Sequence, residues 1–208
     1  VGENFDATKL INIIMNGEDN SSPIIDNFNS TIELKINKTY IDEINHIDNI
    51  SGVLRFKKNE IIDAKLDSIF FNQKKINLSI LINDKEEKIT RLVTDYPKPL
   101  IKRYKFIKGF EGGYLNYYSV KKNEISNSLL VIDNFKIKKV PVFAKLLSLA
   151  SLQGVADLLT GEGIRFSNFE MKFSNQKKLT TIEELYAIGP AVSILMDGYI
   201  ESKKTISL

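Results

Sequence analysis

The chain has 208 residues, 43% hydrophobic and 26% charged, with 29 basic against 26 acidic residues and a formal net charge of +3. This is enough apolar material for a sizeable core and unlike a disordered composition; the even charge balance argues against a dedicated nucleic-acid surface, so no nucleic-acid partner is expected. The absence of cysteine excludes disulfides, thiolate metal sites and cysteine nucleophiles, and a single histidine, His46, excludes multi-histidine metal sites.

The chain opens at Val1, without a methionine or a basic stretch leading into an apolar one, and closes inside the alternating run Thr205-Ile206-Ser207-Leu208. The expectation is a fragment of a longer protein. Residues 1–30 carry no specific signal. From there the dominant period is two. Ile32, Leu34 and Ile36 alternate with Glu33, Lys35 and Asn37, and Ile76, Leu78, Ile80 and Ile82 repeat the pattern with Asn77 and Ser79 on the other face. Shorter signals lie at Val53–Phe56, Ile61–Phe70, Leu129–Ile137, Phe169–Phe173 and Ile194–Ile200. Turn signals separate them at Lys57-Lys58-Asn59, Asn72–Lys75, Asn83-Asp84-Lys85 and Asn175–Lys178.

Two segments break the alternation. Tyr96-Pro97-Lys98-Pro99 leads into a short helix near 97–107, stopped at Gly109. Pro141 sits at a first helical position, and Phe143, Leu146, Leu147, Ala150, Val155, Leu158 and Leu159 follow at mainly i+3/i+4 spacing, which predicts a helix over 141–160 ended by Gly161 and Gly163. The expected fold is mainly β with two helices: a curved antiparallel sheet forming an open groove, with short amphipathic helices covering part of it. Two segments are expected, 1–94 as a β-repeat and 95–208 carrying the helices.

The inventory of chemical groups is thin. His46 lies near Asp42, Glu43 and Asp48 but has no second histidine and no serine in an elbow motif, which reads as a surface connector. Gly109-Phe110-Glu111-Gly112-Gly113 lacks the Gly-Lys-Ser/Thr ending of a phosphate loop and reads as a turn requiring positive φ. Glu86-Glu87 and Glu183-Glu184 are adjacent carboxylates, which point to opposite faces of a strand. The five N-x-S/T triplets, at Asn20, Asn29, Asn37, Asn49 and Asn77, are what an Asn-rich chain generates by chance. No enzyme activity, cofactor or metal is expected.

The stretch Asp133-Asn134-Phe135-Lys136-Ile137-Lys138-Lys139-Val140-Pro141-Val142 into Leu146-Leu147-Ser148-Leu149-Ala150-Ser151, followed by Leu159-Thr160-Gly161-Glu162-Gly163-Ile164-Arg165-Phe166, is distinctive. It resembles the C-terminal region of AsmA-like proteins of Gram-negative bacteria, in which a strand ending in a V/A-P step leads into LLSLAS and then GEGI-x-F. Leu179-Thr180-Thr181-Ile182 and Ala187-Ile188-Gly189-Pro190-Ala191 look like two further strands of that region. Ile50-Ser51-Gly52-Val53-Leu54-Arg55-Phe56 and Gly112-Gly113-Tyr114-Leu115 are similar to its other strand motifs. The likeness is strongest over residues 94–208 and carries no catalytic residue.

The resemblance implies a non-enzymatic bridge-type lipid transport protein related to YhdP and TamB, supporting outer-membrane biogenesis. It would hold its bulk in the periplasm through an inner-membrane anchor outside this chain. Phospholipid acyl chains would lie against an apolar β-groove, for which the candidates are Ile32, Leu34, Ile36, Ile76, Leu78, Ile80, Phe169, Met171 and Phe173. The same residues could instead form an ordinary core under the two helices. The chain would then be a structural or assembly scaffold of the envelope that docks other envelope proteins and holds no lipid.

Overall fold

The computed structural model describes residues 1–7, 28–58, 60–70, 72–102, 109–138, 163–177, 179–190, 193–201 and 205–207. The fold is mainly β. The chain divides into two compact units, Val1–Val93 and Thr94–Leu208.

In the first unit the strands lie side by side in chain order: β1 (Gly2–Asp6), β2 (Ser30–Tyr40), β3 (His46–Lys57), β4 (Glu60–Phe70), β5 (Lys75–Ile82) and β6 (Lys88–Thr94). The predicted alternation at Ile32–Ile36 falls in β2, that at Val53–Phe56 in β3, Ile61–Phe70 in β4 and Ile76–Ile82 in β5. Pairing is antiparallel from β2 to β5. It is parallel between β1 and β2, which corrects the all-antiparallel expectation; Gly2–Asp6 carries no alternating pattern from which a strand, or its direction, could be read. The connector before β3 is 41–45. There the Asp42 carboxylate accepts hydrogen bonds from the Ile44 and Asn45 backbone N–H groups at 2.8 and 2.7 Å and from the Asn45 side chain. His46 is therefore not in the connector: it opens β3, paired with Tyr40, with ring centroids 5.9 Å apart and Nε2 3.4 Å from Asp48 Oδ1. At the β5–β6 turn the Asn83 side chain accepts from the Lys85 and Glu87 N–H groups, which fixes Glu86 at φ 60°.

In the second unit one helical turn, α1 (Lys98–Ile101), precedes β7 (Phe110–Lys122), β8 (Ile125–Ile137), β9 (Ile164–Gln176), β10 (Leu179–Ile188), β11 (Ser193–Glu201) and β12 (Thr205–Ser207). Strands β7 to β12 follow in chain order and pair antiparallel. Of the helix expected near 97–107 only α1 is described, and residues 103–108 lie outside the described residues, as does the helix expected over 141–160. Pro97 caps α1 with its ring already at φ −71°, so the turn starts without a side-chain cap, and Pro99 and Ile101 are buried.

Phe110 to Gly113 do not form the expected turn. They open β7, and Gly112 and Gly113 take φ of 75° and 88° inside the strand, opposite Asn134 of β8 at φ 52°. The ladder skips one rung here: Gly112 pairs Phe135 and Tyr114 pairs Asp133, while on β9 Phe135 pairs Phe166 and Asp133 pairs Asn168. Each of the three strands spends one extra residue at the same level, so the residues facing the core change parity together. Above it they are Phe110, Phe135 and Phe166; below it, Leu115, Ile132 and Phe169. A Cβ on Gly113 would sit 3.2–3.3 Å from Phe135, Ile132 and Pro97 side chains, which adds a packing reason to the conformational one.

The core of this unit gathers Ile101, Phe110, Leu115, Ile132, Phe135, Ile164, Phe166 and Ala187. Phe135 stacks on Phe110 and on Phe166, with centroids 5.1 Å apart in both pairs, and meets Phe169 edge-on at 6.4 Å.

Candidate functional site

The residues proposed from sequence as an apolar face fall into two sets, one in each unit. In the first unit Ile32, Leu34 and Ile36 are half-buried between exposed neighbours on β2, and Ile76, Leu78 and Ile80 lie on β5. The register joins them through β3 and β4. Directly paired residues in a sheet share a face, so Ile32–Leu54–Ala64–Ile80 form one row across four strands and Leu34–Gly52–Leu66–Leu78 the next. Ile36 pairs Ile50 and Ser68 pairs Ile76, with a bulge between them at Asn49, φ 54°. The opposite face is polar: Arg55 lies 3.8 Å from Asp63, and Asn77 donates to the Asp67 carboxylate.

In the second unit Phe169, Met171 and Phe173 of β9 are half-buried and lie on one face. Their rows span five strands: Leu115–Ile132–Phe169–Ala187–Ile194, then Tyr117–Leu130–Met171–Leu185–Met196, then Ser119–Ser128–Phe173–Ile182–Gly198. Sequence reasoning found three members of this face and missed the rest. Leu130 and Ile132, and Ile194 and Met196, do alternate, but only the register tells that they stand beside Phe169 and Met171. Leu185 was hidden by a bulge at Glu183, where β10 gains one residue against both neighbours and its inward positions shift from even to odd numbers.

The other face of this unit carries a polar ladder. Asn168 donates to Asp133 at 2.9 Å, and the Tyr186 hydroxyl donates to Glu170 at 2.7 Å, which, with partial burial, holds that phenol above its usual pKa. Lys172 donates to Glu184 at 2.8 Å and lies 3.5 Å from Glu170, so its ammonium also titrates above the ordinary range, chiefly through the Glu184 bond. Glu183 and Glu184 thus do different things: Glu183 is the exposed extra residue of the bulge and Glu184 a partner of Lys172. At the far end Glu111 lies 2.9 Å from Lys138, 3.9 Å from Lys98 and 4.0 Å from Lys136. The Lys138 bond holds its carboxyl below the usual range.

A depressed carboxyl stabilises the fold at pH above its ordinary value, and this contribution fades as pH falls through the folded-state value. In a carboxyl ¹³C titration Glu111 should protonate at lower pH than an ordinary glutamate, and Lys138→Gln should move it back up. An unmoved Glu111 in that variant would mean the three lysines act only as a diffuse field.

Among the described residues no three His, Asp or Glu side chains are grouped so as to hold a metal ion, and no helix is long and apolar enough to cross a membrane. Two depressions among the described residues of the second unit are open. One sits at the Glu183 bulge, between Ile182, Gly198 and Tyr199; the other is lined by Glu111, Lys136, Arg165 and Phe166. The feature the sequence and the register build together is the pair of apolar sheet faces. No family model, curated protein or solved structure matches the chain.

Proposed function

We propose that this chain is a non-enzymatic segment of an AsmA-like, bridge-type lipid transport protein of the periplasm, in which phospholipid acyl chains rest on the apolar sheet faces. One observation carries the reading. In both units apolar side chains continue from strand to strand at the same level, over four strands in one and five in the other, and most of them remain half-buried. A face of this kind offers each CH₂ group of a lipid about 0.8 kcal/mol on leaving water. Among the described residues it carries no enclosed pocket shaped to one headgroup, so selectivity by headgroup shape is low. The residues on which the resemblance rests include glycines with a structural use here: Gly52 at a close strand contact, Gly112-Gly113 at the parity change, and Gly163 just before β9.

The test is native mass spectrometry of the full chain purified from a bacterial envelope, with the extracted lipids identified. Several phospholipids per chain are expected, with little preference by headgroup shape. Leu78→Asp should remove most of the lipid held on the first unit and Phe173→Asp most of that on the second while circular dichroism still reports a β fold, because an unpaired carboxylate on the face must either desolvate or keep water there. A folded chain that carries no lipid would favour the scaffold reading, in which the sheet edges dock other envelope proteins, and variants that bind as before would overturn the assignment of the lipid to these faces.

A further inference from the structure

The apolar face of the second unit is not uniform along its strands. At one end it abuts the buried stack of Phe110, Phe135 and Phe166, closed by Ile101 of α1. Next come the two fully apolar rows that begin at Leu115 and Tyr117. The third row starts with two serines: Ser128 donates to Ser119 at 2.9 Å, and the Tyr117 hydroxyl lies 3.3 Å from Ser128. The fourth row is polar on four of its five strands, running Lys121–Ser126–Asn175–Thr180–Ile200, with Thr180 donating to Asn175 at 2.6 Å. Beyond it lie the β7–β8 and β9–β10 turns.

Dimensions decide what such a gradient fits. A strand advances about 3.4 Å per residue, so the rows from Leu115 to Ser119 cover about 14 Å and Lys121 stands about 20 Å from Leu115. The hydrocarbon of one bilayer leaflet is about 15 Å deep, half of the roughly 30 Å core. In the first unit the two rows that cross all four strands begin and end on Ile or Leu, Ile32–Leu54–Ala64–Ile80 and Leu34–Gly52–Leu66–Leu78.

We infer that the second unit binds a phospholipid lengthwise along its strands, with the acyl chain tips toward the Phe110–Phe135–Phe166 stack and the phosphate-bearing headgroup at the Lys121–Ser126–Asn175–Thr180 rung. This rests on the lipid-transport reading and adds an orientation and a headgroup contact to it. The Ser119–Ser128–Tyr117 hydroxyls stand at the level of the glycerol esters, where a polar and an apolar environment meet. Lys121 is the cation of the rung and determines preference for charge. The serine, Asn and Thr groups accept any headgroup. The transfer surface is therefore indifferent to headgroup shape and sensitive to headgroup charge.

Photocrosslinking separates the possibilities. The full chain is loaded with phosphatidylglycerol carrying a diazirine either on the headgroup or at the acyl terminus, and the adducts are mapped by mass spectrometry. Headgroup adducts are expected at Lys121, Ser126, Asn175 and Thr180, and tail-tip adducts at Phe169 and Ile194, the half-buried members of the first row. A reversed or evenly mixed pattern on the same face would overturn the orientation while leaving lipid binding intact. No adduct on either unit's apolar face would overturn the lipid reading itself. In a companion measurement Lys121→Gln should weaken phosphatidylglycerol binding about fivefold, the effect of one lysine near a phosphate surface, and leave a neutral diacylglycerol unchanged. Equal loss for both lipids would assign Lys121 a structural role only.

Discussion

Replacing Phe135 by alanine should destabilise the second unit by about 3–5 kcal/mol, the range for removing a buried phenyl ring from a core that cannot close over the gap. Phe135 is 6% exposed and is the middle ring of a three-strand stack, with Phe110 and Phe166 lying at 18° and 14° to it. Neither neighbour can fill the space, because each is fixed by its own strand and the two stand on opposite sides of the ring. Phe135→Leu keeps most of the volume and loses two stacked contacts and one edge-on contact. At about 0.5–1.5 kcal/mol per aromatic pair it should fall between the wild type and the alanine variant. Guanidinium denaturation followed by tyrosine fluorescence and circular dichroism measures both, since the chain has no tryptophan. A Phe135→Ala variant within 1 kcal/mol of the wild type would mean that the stack is a surface ornament rather than the closed end of the apolar face.

The stack also marks where the sequence stops being readable. Ile32, Leu34 and Ile36, and Ile76, Leu78 and Ile80, announce their strands because one face of each is consistently apolar and nothing interrupts the period. Phe169, Met171 and Phe173 are legible for the same reason. Phe110 and Leu115, or Phe135 and Ile132, or Phe166 and Phe169, are five or three apart and out of phase for a regular strand. A single strand read alone suggests that one of each pair faces outward. The structure keeps both inward by placing the extra residue of β7, β8 and β9 at one common level, using Gly113 and Asn134 in the left-handed region. The glycine pair was visible in the sequence and its positive φ was expected. Its position within a strand was not, because a turn and a bulge ask the same backbone freedom of glycine. Glu183-Glu184 shows a related limit: strict alternation holds for a regular strand, and β10 carries an extra residue there, which leaves Glu183 exposed and Glu184 opposite Lys172. Pairing order between distant rows, which makes a continuous face out of separate strands, is a property of register and has no signature within one strand.

Register is also what makes Gly52 costly to change. It lies in β3 between Leu34 and Leu66 in the second apolar row of the first unit, at φ 147°. A Cβ added there would stand 1.9 Å from the Lys65 carbonyl oxygen, 2.9 Å from its carbon and 3.0 Å from the Leu66 Cα. All three are backbone atoms of β4, so no rotamer change relieves the clash and the two strands must separate. Separation breaks the neighbouring β3–β4 hydrogen bonds and moves Leu66 and Leu78 away from Leu34. To this is added the strain of holding a side chain at positive φ, about 1–3 kcal/mol. Gly52→Ala should therefore destabilise the first unit by about 3 kcal/mol or more, at the upper end of single substitutions. Val53→Ala is the control: Val53 is 37% exposed on the opposite face, and its change should cost about 1 kcal/mol or less. Amide hydrogen exchange locates the effect, with protection lost first at the β3–β4 ladder around Val53, Leu54 and Lys65. If Gly52→Ala folds with wild-type stability, β4 can move at that point. The apolar row is then adjustable there, and Leu34 and Leu78 would not be held at a fixed spacing.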